Sequence, residues 1–288
     1  MEIIVTGIFL GGIYALIAMG LSLQYGVARI MNLASGEMLV AGAFAGFWVY
    51  TAQSVSPYVA LLIVVPAAFA LNWLIYRYLM LPLVRRAKSR GHLEVDSILA
   101  TFGLSFAMVG IMLAVFGGSF FNYSYLSQPV TLFGSIYGLN RVVAFSVAVL
   151  ICGLLWYGIN YTRHGMAIRA VSVDPDAAGL VAINVTRVST FAFALGGAVA
   201  ATGGTLLSTF LTLDASIGII FTMKALVIVI MGGVGDIRGA IVAALALGLA
   251  ETFVATVIDP GLTLAAAYLL FILILLFRPQ GLFGRRTS

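Results

Sequence analysis

Charge is scarce in this sequence. Only 9% of its 288 residues are Asp, Glu, Lys or Arg, where a soluble domain carries roughly 25%. A water-soluble core is thereby excluded. Cysteine is nearly absent: Cys152 stands alone inside an apolar run, which leaves neither a disulfide framework nor a thiolate metal cluster. The two histidines, His92 and His164, fall far apart in polar segments read as loops. No apolar run holds His with Glu, Asp or Cys at metal-ligand spacing, so no metal site is expected. Serines such as Ser105 and Ser208 lack an intramembrane histidine to activate them, and no catalytic residue is expected. The phosphate-loop pattern Gly-x-x-x-x-Gly-Lys-Ser/Thr is missing. Any ATP-driven work must therefore borrow its motor, and no cofactor is expected on this chain itself. Met1-Glu2 opens without the basic n-region of a signal peptide, so cleavage there is not expected.

What is present is apolar: 62% of residues, in runs long enough for the about 20 residues that cross a bilayer. Runs read against polar breaks predict spans near 3–28, 33–53, 57–80, 97–117, 141–162, 188–211, 222–234, 237–257 and 262–277. The fold class is an all-α transmembrane bundle of about eight to nine spans, one domain over 1–288, with broken or re-entrant elements. Alternating sides puts Arg29, Arg77, Arg85, Arg86, Lys88, Arg90, Arg163, Arg169, Arg187, Arg238, Arg278, Arg285 and Arg286 on one side. Only Arg141 and Lys224 fall on the other. By the positive-inside rule the first side is cytoplasmic, with the N-terminus outside and the C-terminus inside. This partition accounts for the net charge of +5 without nucleic acid. The Arg85–Arg90 cluster fixes topology and meets anionic lipid headgroups.

Ionisable groups within or beside the spans are Glu37, Lys224, Glu251, Asp214 and Asp236. Each is costly in lipid, roughly 2.5–3.5 kcal/mol at the bilayer centre on insertion scales. Glu37 divides evenly between a pathway role and a structural hydrogen bond. Glu251 is expected to have a structural partner. Lys224 is expected to snorkel outward or pair with Asp214. Asn32, Ser35, Gly36 and Glu37 open the second span directly after the first. Asn32 and Ser35 can satisfy free amides there, and Gly36 admits another backbone. Transporters place substrate or gating elements at such breaks, so these four are the candidate substrate pathway; an ordinary capped helix start is the alternative.

A second break carries Gly232, Gly233, Gly235 and Gly239. The run Ala225–Met231 is too short to span, the first glycines permit a tight reversal, and Gly235 with Gly239 forms a small-x-x-x-small face. Gly7/Gly11 and Gly42/Gly46 repeat that spacing. Residues 163–187 form a polar island with Arg163, Arg169 and Arg187. Asp174, Pro175 and Asp176 spell a helix start: a cap, a preset first residue, and an acid at the positive end of the dipole. A short surface helix on such a chain suggests a handle for another protein.

Together these landmarks resemble the permease subunits of ABC importers for branched-chain amino acids, whose relatives also carry urea, short amides and aromatic acids. The resemblance runs through Gly11–Leu16, Tyr25-Gly26, Asn32–Glu37, Gly165–Ala170 with Asp174 and Ala178, Lys224 with the Gly232–Ala240 motif, and Arg278–Phe283. Departures are Leu33 and Ser35, where the family usually has an aromatic and a histidine, and Ala182-Ile183 in place of Gly-Ile. The resemblance implies a second homologous permease subunit, two ATP-binding cassette ATPases that bind the ATP, and a periplasmic or tethered substrate-binding protein. It places them at a bacterial or archaeal cytoplasmic membrane. It makes 163–187 the ATPase-coupling loop, with Arg163, Arg169, Asp174, Pro175 and Asp176 as its contacts and helix start. The alternatives are an ion-coupled carrier using Glu37 and Glu251, and an intramembrane enzyme, which lacks a nucleophile.

Overall fold

The computed structural model describes residues 1–87, 89–123, 125–132 and 134–284, without the side chain of Arg90. Lys88, Arg285 and Arg286, counted above for orientation, lie outside the described residues or, for Arg90, have no described side chain. Helices α1 (Glu2–Ala28), α2 (Ser35–Gln53), α3 (Pro57–Ile75), α4 (Leu81–Arg86), α5 (Arg90–Phe116) and α6 (Leu139–Tyr161) form the first half. Then follow α7 (Arg163–Val173), α8 (Pro175–Leu180), α9 (Val185–Leu207), α10 (Gly218–Gly232), α11 (Ile237–Val257) and α12 (Thr263–Phe277). Their bounds lie close to the predicted spans. A π-helical turn, Tyr76–Met80, welds α3 to α4, and the Leu81 amide bonds back to the Tyr76 carbonyl. It sits just before Pro82, whose ring and missing N–H disturb a regular helix there.

The bundle is built inside-out. α1, α2, α9 and α11 pack at its centre, while α3, α5, α6 and α12 present Leu62, Leu99, Phe106, Leu150 and Ile272 outward. Lipid tails are as apolar as leucine, so the central helices must associate through close packing. They do so with glycine: Gly7 and Gly11 lie on α11 around Gly248, Gly20 meets Gly196, and Gly42 meets Ala201. The predicted Gly235/Gly239 face is not one face. Gly239 packs on Gly232, whereas Gly235, at φ 82° in the turn before α11, packs on Gly26.

Among the described residues, seven helices are long and apolar enough to cross a membrane. The other two predicted spans are α2, with 19 residues, and α10, with 15. At 1.5 Å per residue α10 is about 22 Å long, short of a roughly 30 Å hydrocarbon layer. The all-α expectation missed a hairpin. Within the 118–140 loop, β1 (Pro129–Leu132) pairs antiparallel with β2 (Ser135–Gly138), and Phe121 bridges Leu213. The loop folds back over α2 through Phe44, Phe47, Tyr50, Phe121 and Tyr123. Burial pushes the Tyr123 phenol up to about 12, against its hydrogen bond with Ser208.

Contacts gather the described cationic loops at one end. Arg29 donates to the Ser172 carbonyl, Tyr25 to Glu94, and Gly26 touches Gly235. Lys224 departs from the prediction. It lies within α10, as the predicted span 222–234 has it, but it is not paired with Asp214, which accepts from the Ser216 amide and hydroxyl.

Candidate functional site

Residues 29–34 leave α1 through Arg29, in the left-handed region at φ 56°, and return into the bundle without helical structure. Such backbone survives at membrane depth only when protein satisfies it. Here Thr101 of α5 bonds both the Leu33 amide and the Met31 carbonyl. Asn32, fully buried, donates to Gln24 and accepts from the Ala34 amide at 3.0 Å. Ser35 departs from its expected capping role: it donates back to the Asn32 carbonyl at 2.8 Å. The Gly36 amide is taken instead by Thr222 of α10, at 2.9 Å. Thr222 was invisible to sequence reasoning, since 186 residues separate it from Gly36.

That bond marks where the starts of α2 and α10 meet. Gly36, near the start of α2, touches Gly218, the first residue of α10. The Glu37 carboxylate lies against Gly218, accepts from Ser105 of α5 at 2.8 Å, and leaves Oε2 without a hydrogen-bond partner. Two helix N-termini thus face one carboxylate, and their partial positive charges favour it. Asn32, Ser35, Gly36 and Glu37 are brought together, but in a closed contact.

Below it, Lys224 donates to Glu251 at 2.8 Å and to the Tyr14 hydroxyl at 2.7 Å, and Tyr14 donates to the same Glu251 oxygen at 2.7 Å. Glu251 has its structural partner, though the partner is Lys224, the residue expected to pair with Asp214. The triad ties α1, α10 and α11 where α10 is too short to be held by its length.

The glycine break closes through backbone. Gly233 turns at φ 105°, and the Leu282 and Phe283 amides cap the Met231 and Gly232 carbonyls at 2.7 and 3.0 Å. The terminal signature Arg278–Phe283 therefore finishes α10, whose last carbonyls have no partner in their own helix.

At the same end the polar island forms two helices. Thr162 caps α7 by accepting from the Gly165 amide, a start the sequence reading did not assign. Asp174 caps α8 by accepting from Asp176 and Ala177, with Pro175 first in the helix, as the sequence predicts. Ile168 and Val171 seat α7 on Leu23 and Val27 of α1, and Arg169 donates to the Asn160 carbonyl. Arg163 points into solvent. Just after α8, Ala182 sits in the left-handed region at φ 62°, a costly conformation for a residue with a Cβ. His92 and His164 sit in the first turns of α5 and α7 rather than in loops, and His164 packs near Phe191.

The permease-component model of branched-chain amino acid transport systems matches residues 3–277. The high-affinity branched-chain amino acid transport system permease protein LivH of Salmonella typhimurium is 30% identical, covering 97% of this chain and 94% of that protein. The counterpart BraD of Pseudomonas aeruginosa is 29% identical, covering 98% and 95%. A probable LivH of Methanocaldococcus jannaschii is 26% identical, covering 96% and 90%. Among solved structures, PsaBC from Streptococcus pneumoniae in complex with Fab superposes with a TM-score of 0.50 at 12% identity, over 98% of this chain and 94% of that one, a likeness of fold alone. With a full-length family match, apolar spans and two glycine-built breaks, this chain belongs to the permease components of branched-chain amino acid transport systems.

Proposed function

We propose that the chain is one of two membrane-spanning subunits of an ATP-driven importer, with two ATPases docked on α7–α8 and a binding protein delivering solute at the opposite face. The observation that carries this reading is the build of α7–α8. Four large apolar side chains stand exposed on this polar segment: Met166 at 54%, Val173 at 69%, Leu180 at 89% and Val181 at 68%. Exposed apolar groups rimmed by polar ones mark a protein contact. Arg163 and Arg169 flank the contact, and Asp174, Pro175 and Asp176 fix its second helix. The arginine-rich end is then cytoplasmic, which sets the N-terminus outside and the C-terminus inside the cell membrane.

The names of the relatives support a branched-chain amino acid or a related small solute as cargo. The path runs past Asn32, Ser35, Gly36 and Glu37. Parting α2 from α10 would uncover two helix N-termini, which favour an anionic group, beside Glu37, which favours a cationic one. That pairing suits a zwitterion. The decisive experiment expresses the chain with its operon neighbours and follows ATPase co-purification and vesicle uptake. Asp174→Ala combined with Arg169→Ala is expected to release the ATPase. A double variant that still hydrolyses ATP and transports would overturn the coupling assignment. The ion-coupled alternative predicts gradient-driven uptake by this chain alone, and the engagement of Glu251 with Lys224 argues against that residue as its proton carrier.

A further inference from the structure

At the arginine-rich end, α1, α6, α7 and the α10–α11 turn enclose a polar cavity of about 350 Å3. One wall is Ser22, 0% exposed, whose hydroxyl has no hydrogen-bond partner. Arg169 and Arg238 line the cavity against one acid, Asp236, which caps the Gly239 amide at 3.0 Å. Arg29 adds a third cation alongside, bonded to the carbonyl of Ser172, itself a lining residue. The balance is positive.

A second cavity, an apolar groove of about 610 Å3, runs between α6 and α11 over α1. Gly12 and Ala15 line it from α1, Phe145 and Gly153 from α6, and Leu245 from α11. The two cavities share Trp156 and Arg238. A cationic chamber at the end of a membrane bundle, adjoining across Trp156 and Arg238 an apolar slot between its helices, matches the two-part chemistry of a phospholipid. Trp156 at the junction is the residue type that favours the headgroup level.

We propose that these joined cavities bind one anionic phospholipid. Its phosphate meets Arg238 and Arg169, and one acyl chain lies over Gly153. Selectivity resides in the headgroup, because an acyl chain leaves one apolar medium for another on entering the groove. An arginine near an anionic headgroup contributes about 1 kcal/mol, so each is worth about fivefold in binding. The bound headgroup sits between α7 and the start of α11, and braces the segment that carries Arg169. This inference needs the chain to lie in a bilayer and shares Arg169 with the proposed docking surface, so it is tested at Arg238 and Gly153, which lie outside α7–α8.

The experiment uses the purified full-length chain with whatever subunits accompany it. Lipid retained from mixed phosphatidylglycerol and phosphatidylcholine micelles is read by native mass spectrometry. Phosphatidylglycerol is expected to be retained over phosphatidylcholine by about twenty-five-fold, the product of two fivefold arginine contributions. Arg238→Gln is expected to cut that retention about fivefold. A side chain added at Gly153 meets no atom within 4 Å. Gly153→Leu therefore fills the groove without disturbing the fold: retention falls while the lipid-free melting midpoint holds. Gly110→Leu, equally open on α5, leaves retention unchanged. Equal retention of the two lipids, or either Arg238→Gln or Gly153→Leu binding like the parent, overturns the proposal. So does millimolar inorganic phosphate reproducing the lipid's thermal shift, which makes the chamber a free-anion site. So does cross-linking of a Gly153→Cys variant to another subunit, which makes the groove a protein contact.

Discussion

Glu37 and Glu251 are both buried in the membrane-embedded bundle, 0% and 2% exposed, yet they are accommodated by opposite means. Glu251 has a full counter-charge in Lys224 and a phenol from Tyr14. Glu37 has the starts of α2 and α10, one hydroxyl from Ser105, and no cation among its hydrogen-bond partners. A lysine is a strong but unforgiving partner, because removing either member strands the other. Helix termini are weak and indifferent partners, worth about 0.3–1 kcal/mol and up to about 2 in buried geometry. One carboxylate is therefore locked in place by an ion pair, and the other sits where α2 and α10 meet without one.

The same substitution at the two sites breaks or confirms this contrast. Glu251→Gln leaves Lys224 without its charge partner and is expected to destabilise by about 3–5 kcal/mol, read as the melting midpoint of the purified chain. Combining Glu251→Leu with Lys224→Met removes both charges and should recover most of that loss; a double variant as unstable as Glu251→Gln would deny the ion pair its role. Next comes Gly218→Ala, whose methyl strikes the Glu37 carboxylate, at about 1–3 kcal/mol. Glu37→Ala in the same chain should relieve it, and no relief would separate Glu37 from the α2–α10 contact. Tyr14→Phe deletes two hydrogen bonds to charged groups, one donated to Glu251 and one accepted from Lys224, at about 1–3 kcal/mol, with transport less affected than melting. Glu37→Gln is smallest, about 1 kcal/mol or less in stability, because only helix partial charges lose their anion. Its signature should be a change in uptake, and a loss of stability matching that of Glu251→Gln would erase the distinction.

Periodicity and caps made part of this readable in one dimension. The limits of α1, α2, α11 and α12 follow from apolar runs and their polar breaks, and Asp174-Pro175 announces α8 because a cap acts on amides two and three residues away. The shortness of α10 was equally legible, being a length. Thr222 on Gly36 and Ser105 on Glu37 were not, since each joins residues 186 or 68 apart. Lys224 was misread for a related reason. Sequence places a lysine near the end of an apolar run but not its depth, and depth depends on where α10 is pinned. The 129–138 hairpin escaped because it pairs four-residue strands, and what they pack on, Phe9 of α1 against Tyr137, lies far away in sequence.

The sequence by itself determined that the chain lives in lipid, where it breaks, which end gathers arginine, and that it lacks a phosphate loop. These are local or compositional properties, set by hydration and by hydrogen bonds reaching a few residues. Only the tertiary structure decided which carboxylate met a lysine, that the terminal signature caps α10, and that Arg238 and Trp156 open onto both a polar chamber and an apolar groove. Each depends on helices far apart in sequence approaching through glycine, and that approach is a property of the packed bundle.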